Sequence, residues 1–164
     1  MDLPSNALQL HDALTRECDM VMTLVDVLSD ERSCLIHLDS QRLVELALRK
    51  EALMLELEQR STERLQMARD MGFSADKNGL TQCMERLSHH DERIGLLFQT
   101  FQQTVTQAQR LNDLNGALVA EQLTSLHTRI QILTEATRPI SQVYGPDGIY
   151  GQPNGALSPG VVAR

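Results

Sequence analysis

The sequence predicts an all-α fold: an elongated antiparallel helical hairpin with a long third helix, packed as a coiled-coil-like bundle and followed by a flexible C-terminal tail. Three observations carry this. Apolar residues recur at alternating steps of three and four, the spacing of one helix face, from Leu10 to Leu133. The chain has two tyrosines, three phenylalanines and no tryptophan, so Leu, Met, Ala and Val must build the core. Such a core suits helices packing on helices and is thin for a β-sandwich. Finally, composition changes at Pro139: residues 139–164 hold four of the five prolines and five of the nine glycines. A segment of that kind neither propagates a helix nor builds a core. The boundary separates a helical bundle, residues 1–138, from a Pro/Gly-rich tail, residues 139–164.

The first helix is expected from about Asn6 to Leu38, started by Pro4 and the cap formers Ser5 and Asn6. Its seam runs Leu10, Leu14, Glu17, Val21, Leu24, Leu28, Glu31, Leu35, Leu38 without a slip, a heptad stripe ~50 Å long. A polar break at Asp39-Ser40-Gln41-Arg42 follows. The second seam, Leu43, Leu46, Lys50, Leu53, Leu57, Arg60, Arg64, Met67, Met71, ends at Gly72. Folding at the break sets the acids of the first seam against bases of the second, Glu31 with Lys50 and Glu17 with Arg64. A slip of one heptad would keep leucine against leucine and lose both matches, so these four charges can specify a register that leucines cannot. Alternatively both pairs sit solvated at the seam edge and contribute only ~0.5 kcal/mol each.

Gly72 to Gly79 reads as a loop, with Phe73 placed to close the hairpin's open end. A third helix is expected from near Thr81, its stripe running Leu80, Met84, Leu87, Asp91, Ile94, Phe98, Phe101, Val105, Ala108, Asn112, Asn115 and onward to Leu133. The segment Asn112-Asp113-Leu114-Asn115-Gly116 has turn chemistry. Either one long helix passes through it, bent near Gly116, or a tight turn divides it; the unbroken apolar phase favours the first. A continuous helix of that length would overhang the hairpin and leave an amphipathic stripe in need of a partner.

Several function classes are disfavoured. The net charge of −7 argues against a surface for nucleic acid or anionic lipid, whose phosphates are met by Lys and Arg. No apolar run exceeds about five residues, far below the ~20 needed to span a bilayer, and the start MDLPSNALQL lacks the basic and apolar regions of a signal peptide. Neither secretion by a cleavable signal nor membrane insertion is expected. Cys18, Cys34 and Cys83 are odd in number and widely spaced, which points to reduced thiols in a cytoplasmic protein. No Glu is followed three residues later by His, which removes the di-iron pattern of helical bundles. Adjacent His89 and His90 point ~100° apart on a helix, so they do not converge on a metal, and the glycines of the tail have no flanking strand and helix to make a phosphate loop. Neither catalysis, metal nor cofactor is expected, which leaves recognition.

For recognition, the segment Gln109-Arg110-Leu111-Asn112-Asp113-Leu114-Asn115-Gly116-Ala117-Leu118-Val119 places an N-x-x-N-G inside an apolar helical stripe, and Tyr144-Gly145-Pro146-Asp147-Gly148 follows some way after it. Together with Leu28-x-x-Glu31-x-x-x-Leu35, Arg49-Lys50-Glu51-Ala52-Leu53 and Met71-Gly72-Phe73-Ser74-Ala75-Asp76, these segments resemble the FlgN family of flagellar type III export chaperones. Residues 149–164 lie beyond the resembling segments. The resemblance implies a small cytoplasmic helical protein that binds the C-terminal segments of the hook-filament junction proteins FlgK and FlgL, prevents their early assembly and brings them to the export gate. It also implies a docking role at the export apparatus for the tail, centred on Tyr144 with Gly145 and Pro146. Residues alone leave Tyr144 equally open to loose packing on the parent domain. Helix-in-groove pairing with such clients suits an exposed amphipathic stripe, and the candidate client surface is Val119, Leu123, Leu126, Ile130 and Leu133; the alternative is ordinary intramolecular core. A coiled-coil adaptor or scaffold, and a flagellar chaperone serving flagellin or the filament cap instead, remain open, as does the oligomeric state.

Overall fold

A computed structural model describes residues 3–136, with side chains from Leu8 onward. Four helices make up the architecture: α1 Leu3–His37, α2 Ser40–Asp70, α3 Lys77–Ser88 and α4 Glu92–Ala136. There is no strand among the described residues, so the all-α expectation holds. The chain divides into two compact units, Met1–Gln122 and Leu123–Arg164. The first contains the whole buried apolar cluster; the described part of the second is the last turns of α4.

The hairpin closes where the polar break predicts. Leu38 takes a left-handed conformation, φ +58°, and the Asp39 N–H reaches back to the Cys34 carbonyl at 3.0 Å, the six-to-one bond that ends a helix by reversing its chain direction. Asp39 then caps α2, its carboxylate accepting from the Arg42 N–H at 3.1 Å. The far end of α2 stops in the same way. Gly72 sits at φ +87°, where a glycine avoids the Cβ clash, its N–H bonds to the Arg69 carbonyl, and the Phe73 N–H bonds to that of Ala68. Phe73 packs half-buried on the core. Asp76 caps α3 through the Gly79 N–H at 2.7 Å. That bond and the Ser74 hydroxyl hold the Asp76 carboxyl below the usual carboxylate range.

The third predicted helix is two helices, α3 and α4, divided at His89-His90-Asp91. Asp91 starts α4, accepting from the Arg93 N–H at 3.0 Å, and the N–H groups of His90 and Asp91 both terminate on the Leu87 carbonyl. Because the break is short, Leu87 and Ile94 stay on the buried side, and the apolar phase does not register the interruption. Conversely, α4 runs unbroken through Asn112–Gly116, where turn chemistry competed with periodicity.

In the first unit α1 is the central element. It buries Leu10, Leu14, Val21, Val27, Leu28 and Leu35, each contributing about 1.5–3 kcal/mol by leaving water. Helix α2 antiparallel to it buries far less and leaves Val44, Leu48, Met54 and Leu55 exposed. Helix α4 lies parallel to α1: Asn115 bonds to the Leu28 carbonyl and Gln122 to that of Leu35, both pairs 87 positions apart in sequence. A constant separation one heptad on is the signature of parallel alignment. Leu80, Cys83, Met84 and Leu87 of α3 join Leu10 and Leu14 in the same cluster.

Candidate functional site

Three helices of the first unit meet at a polar layer on Glu31. This residue is 9 % exposed, yet both of its carboxylate oxygens are used. Lys50 Nζ donates to Oε1 at 2.5 Å, and Asn115 Nδ2 donates to Oε2 at 2.8 Å while also donating to the Leu28 carbonyl at 2.8 Å. Two acceptors on one side of the Asn115 amide set its orientation, since only the NH2 group can serve both. The second asparagine of the N-x-x-N-G motif therefore ties α4 to α1. The carboxamide that would favour a turn by bonding its own backbone is committed to another helix, which is why α4 continues through the motif. Asn112 is exposed.

Two heptads away on both α1 and α2, Arg64 pairs with Glu17. This pair is drier: the Glu17 side chain is 2 % exposed and that of Arg64 8 %. The guanidinium lies 4.8 Å from the centre of the Phe101 ring of α4, a cation–π distance, and donates to Ser61 Oγ at 3.3 Å. Burial lowers Arg64 from its ordinary value to about 10, so it remains a cation at neutral pH. Apart from the Arg64 Nη1 contact that makes the ion pair, Glu17 Oε1 and Arg64 Nε are shielded from solvent and have no hydrogen-bond partner among the described residues. The structure thus brings all four sequence-predicted register residues together in the two predicted pairs.

Between the two layers lies an apolar groove of about 340 Å³, lined by residues of α1, α2 and α4 that include Val21, Leu24, Leu57, Phe101 and Val105. Glu17 and Arg64 line it in one layer and Lys50 in the other. Sequence reasoning did not find it. The signal was present in the polar residues interrupting three apolar seams, which read as edge charges when each helix is taken alone.

Val119 of α4 lies in the first unit; Leu123, Leu126, Ile130 and Leu133 lie on α4 in the second. Their exposure runs from 40 % at Val119 to 64 % at Leu133, and none of them belongs to the buried cluster. Tyr144, Gly145 and Pro146 fall outside the described residues, as does the whole predicted tail from Pro139. No helix among the described residues is long and apolar enough to cross a membrane, and no group of three His, Cys, Asp or Glu residues among them is arranged to hold a metal ion. Cys18 and Cys83 are buried; burial pushes both thiols up, so they pack as protonated groups.

No curated protein and no solved structure matches the chain. The model of one protein family, described as FlgN protein, matches residues 1–151, a span that includes the Glu31 layer, the α4 stripe and Tyr144-Gly145-Pro146. With nearly its full length matched, the chain belongs to the FlgN family of flagellar export chaperones.

Proposed function

We propose that the protein works in the cytoplasm by binding, not catalysis: it holds the C-terminal segments of the hook-filament junction proteins FlgK and FlgL on the stripe Val119, Leu123, Leu126, Ile130 and Leu133. The observation that carries this reading is the exposure of that stripe. Five aliphatic side chains at helical spacing stand 40 to 64 % open, and in water such a stripe favours a complementary amphipathic helix. Clients held in this way are kept from assembling early. Delivery to the export gate then falls to the tail at Tyr144-Gly145-Pro146, a segment inside the family match.

The test is a Leu126→Ser, Ile130→Ser double variant titrated with purified FlgK and FlgL C-terminal segments. Both side chains are more than half exposed, so folding should survive, while removing two apolar anchors should weaken binding by roughly a hundredfold. Unchanged affinity in a folded variant would reject the stripe as the client surface. Deleting residues 140–164 should spare this affinity and impair export in a flagellated cell; loss of both, or of neither, rejects the division of labour.

A further inference from the structure

Around the apolar stripe of α4 the charge is opposite in sign to that of the chain. At ~100° per residue, Leu123, Leu126, Ile130 and Leu133 fall within ~40° of one midline along the helix. Arg129 stands ~80° to one side of that midline and His127 ~80° to the other, whereas Glu121 and Glu135, the nearest acids in sequence, lie ~160° away on the far face. Arg129 thereby borders Leu126 and Leu133, and His127 borders Leu123 and Ile130. Both edges present nitrogen donors and no carboxylate, in a chain of net charge −7. Arg42, Arg60 and Arg93 each hold an acid of their own helix or its cap. Arg129 is exposed and has no ion pair or hydrogen bond among the described residues. The positions three and four away from it are Ser125, Leu126, Ile132 and Leu133, so its own helix offers it no acid.

An occupant of the stripe must cover its aliphatic side chains and meet Arg129 at the border. A second copy of this chain fails the second condition: paired antiparallel, the Arg129 edge faces itself, and paired parallel it faces the His127 edge, neither of which carries a carboxylate. An anionic lipid surface would hold a chain of net charge −7 through a single arginine, too little for such binding. An amphipathic helix with an acid at the border of its apolar face meets both conditions. Its carboxylate accepts two parallel bonds from the planar guanidinium, and the covered stripe beside them excludes water, so the pair is screened less than one on a free surface. We propose that the α4 stripe selects clients whose covering helix carries Asp or Glu at the border of its apolar face, and that Arg129 binds this carboxylate and fixes where along α4 the client sits. Leucine against leucine tolerates a slip of one heptad, and a single charged contact does not. The inference rests on the reading that the stripe is the client surface.

The test uses the full chain and the FlgK and FlgL C-terminal segments, with affinity read by calorimetry and folding by circular dichroism. Arg129→Glu and Arg110→Glu make the same change of charge at exposed positions of α4, the first at the stripe's border and the second on the opposite face. Both residue types are good helix formers, so the melting curves should not move. Arg129→Glu should weaken binding about tenfold or more, and Arg110→Glu by no more than about twofold. In an Asp/Glu→Lys scan of the client segment, one position should weaken binding to the wild type and restore it to Arg129→Glu. If Arg129→Glu binds like the wild type while Leu126→Ser, Ile130→Ser loses affinity, the acid contact is wrong and the stripe stands. If Arg110→Glu weakens binding as much as Arg129→Glu, or no client position restores it, charge acts at long range and the pairing is overturned. If Arg129→Glu weakens binding and the stripe variant does not, the client does not lie on the stripe and the proposal falls; if neither weakens it, both readings fall. Self-association by sedimentation, or binding to phosphatidylserine vesicles, that is lost in Leu126→Ser, Ile130→Ser with client affinity intact would give the stripe to a second copy or to a membrane and overturn both.

Discussion

The Glu31 and Glu17 layers are two answers to the same problem, an acid placed on the seam of a coiled coil. Each pairs across the hairpin with a base in the same register. At Glu31 the side chain keeps some access to water, and α4 contributes Asn115, so both carboxylate oxygens are bonded and the leftover buried atom is the neutral Asn115 Oδ1. At Glu17 the pair is almost dry and α4 contributes the Phe101 ring, which attracts the guanidinium but cannot donate to the carboxylate. The leftover atoms there belong to charged groups. One layer leaves only a neutral amide oxygen unbonded and joins three helices; the other leaves atoms of two charged groups buried and unbonded. What separates them is the residue that α4 brings, a carboxamide in one case and an aromatic ring in the other.

The sharpest way to break this contrast is to remove one partner of the drier pair. Arg64→Met strands Glu17 as a buried charge and should cost about 3–5 kcal/mol in urea unfolding, whereas Glu17→Leu together with Arg64→Met should return stability to within about 1 kcal/mol of wild type or exceed it. A loss below about 1 kcal/mol for the single variant would mean that water reaches the pair. Next, Asn115→Leu removes the second bond to the Leu28 carbonyl and leaves one Glu31 oxygen unbonded, at about 1–3 kcal/mol; hydrogen exchange should then show α4 loosening before the hairpin does. A double-mutant cycle on Glu31 and Lys50 should give a coupling near 1 kcal/mol, because both side chains are partly exposed. No coupling would remove Glu31–Lys50 as a determinant of register. Smallest, and opposite in sign, Gly116→Ala should stabilise by about 0.5–1 kcal/mol. Its new Cβ meets nothing within 4 Å, and alanine restricts the unfolded chain. Destabilisation would show that the glycine, and not only Asn115, has a structural part in the motif.

Much of the first unit was legible because its determinants are local and periodic. The stripe through Leu10, Leu14, Val21, Leu28 and Leu35 marks the buried face of α1, and Asp39 and Gly72 mark its neighbour's two ends. The pairing of Glu31 with Lys50 and of Glu17 with Arg64 followed from folding two unbroken heptad stripes at their only interruption. The break at His89-His90-Asp91 was not legible, since Leu87 and Ile94 both stay buried across it and periodicity is blind to a stop that keeps the phase. The groove escaped for a different reason. It is made by residues from three helices, and no one-dimensional pattern states how far apart the third helix stands or which of its side chains faces which acid.

Helix content, the hairpin's turn and the acid–base matching across it were determined by the sequence alone, because spacing and capping act within a few residues and folding two heptad stripes at a short break sets Glu31 against Lys50 and Glu17 against Arg64. Only the tertiary structure decided that α4 runs parallel to α1, that Asn115 joins one polar layer and Phe101 covers the guanidinium of the other, and that a groove lies between them. Those outcomes depend on the rotation and depth of a third helix against two others, quantities set by packing summed over the whole interface and encoded at no single position.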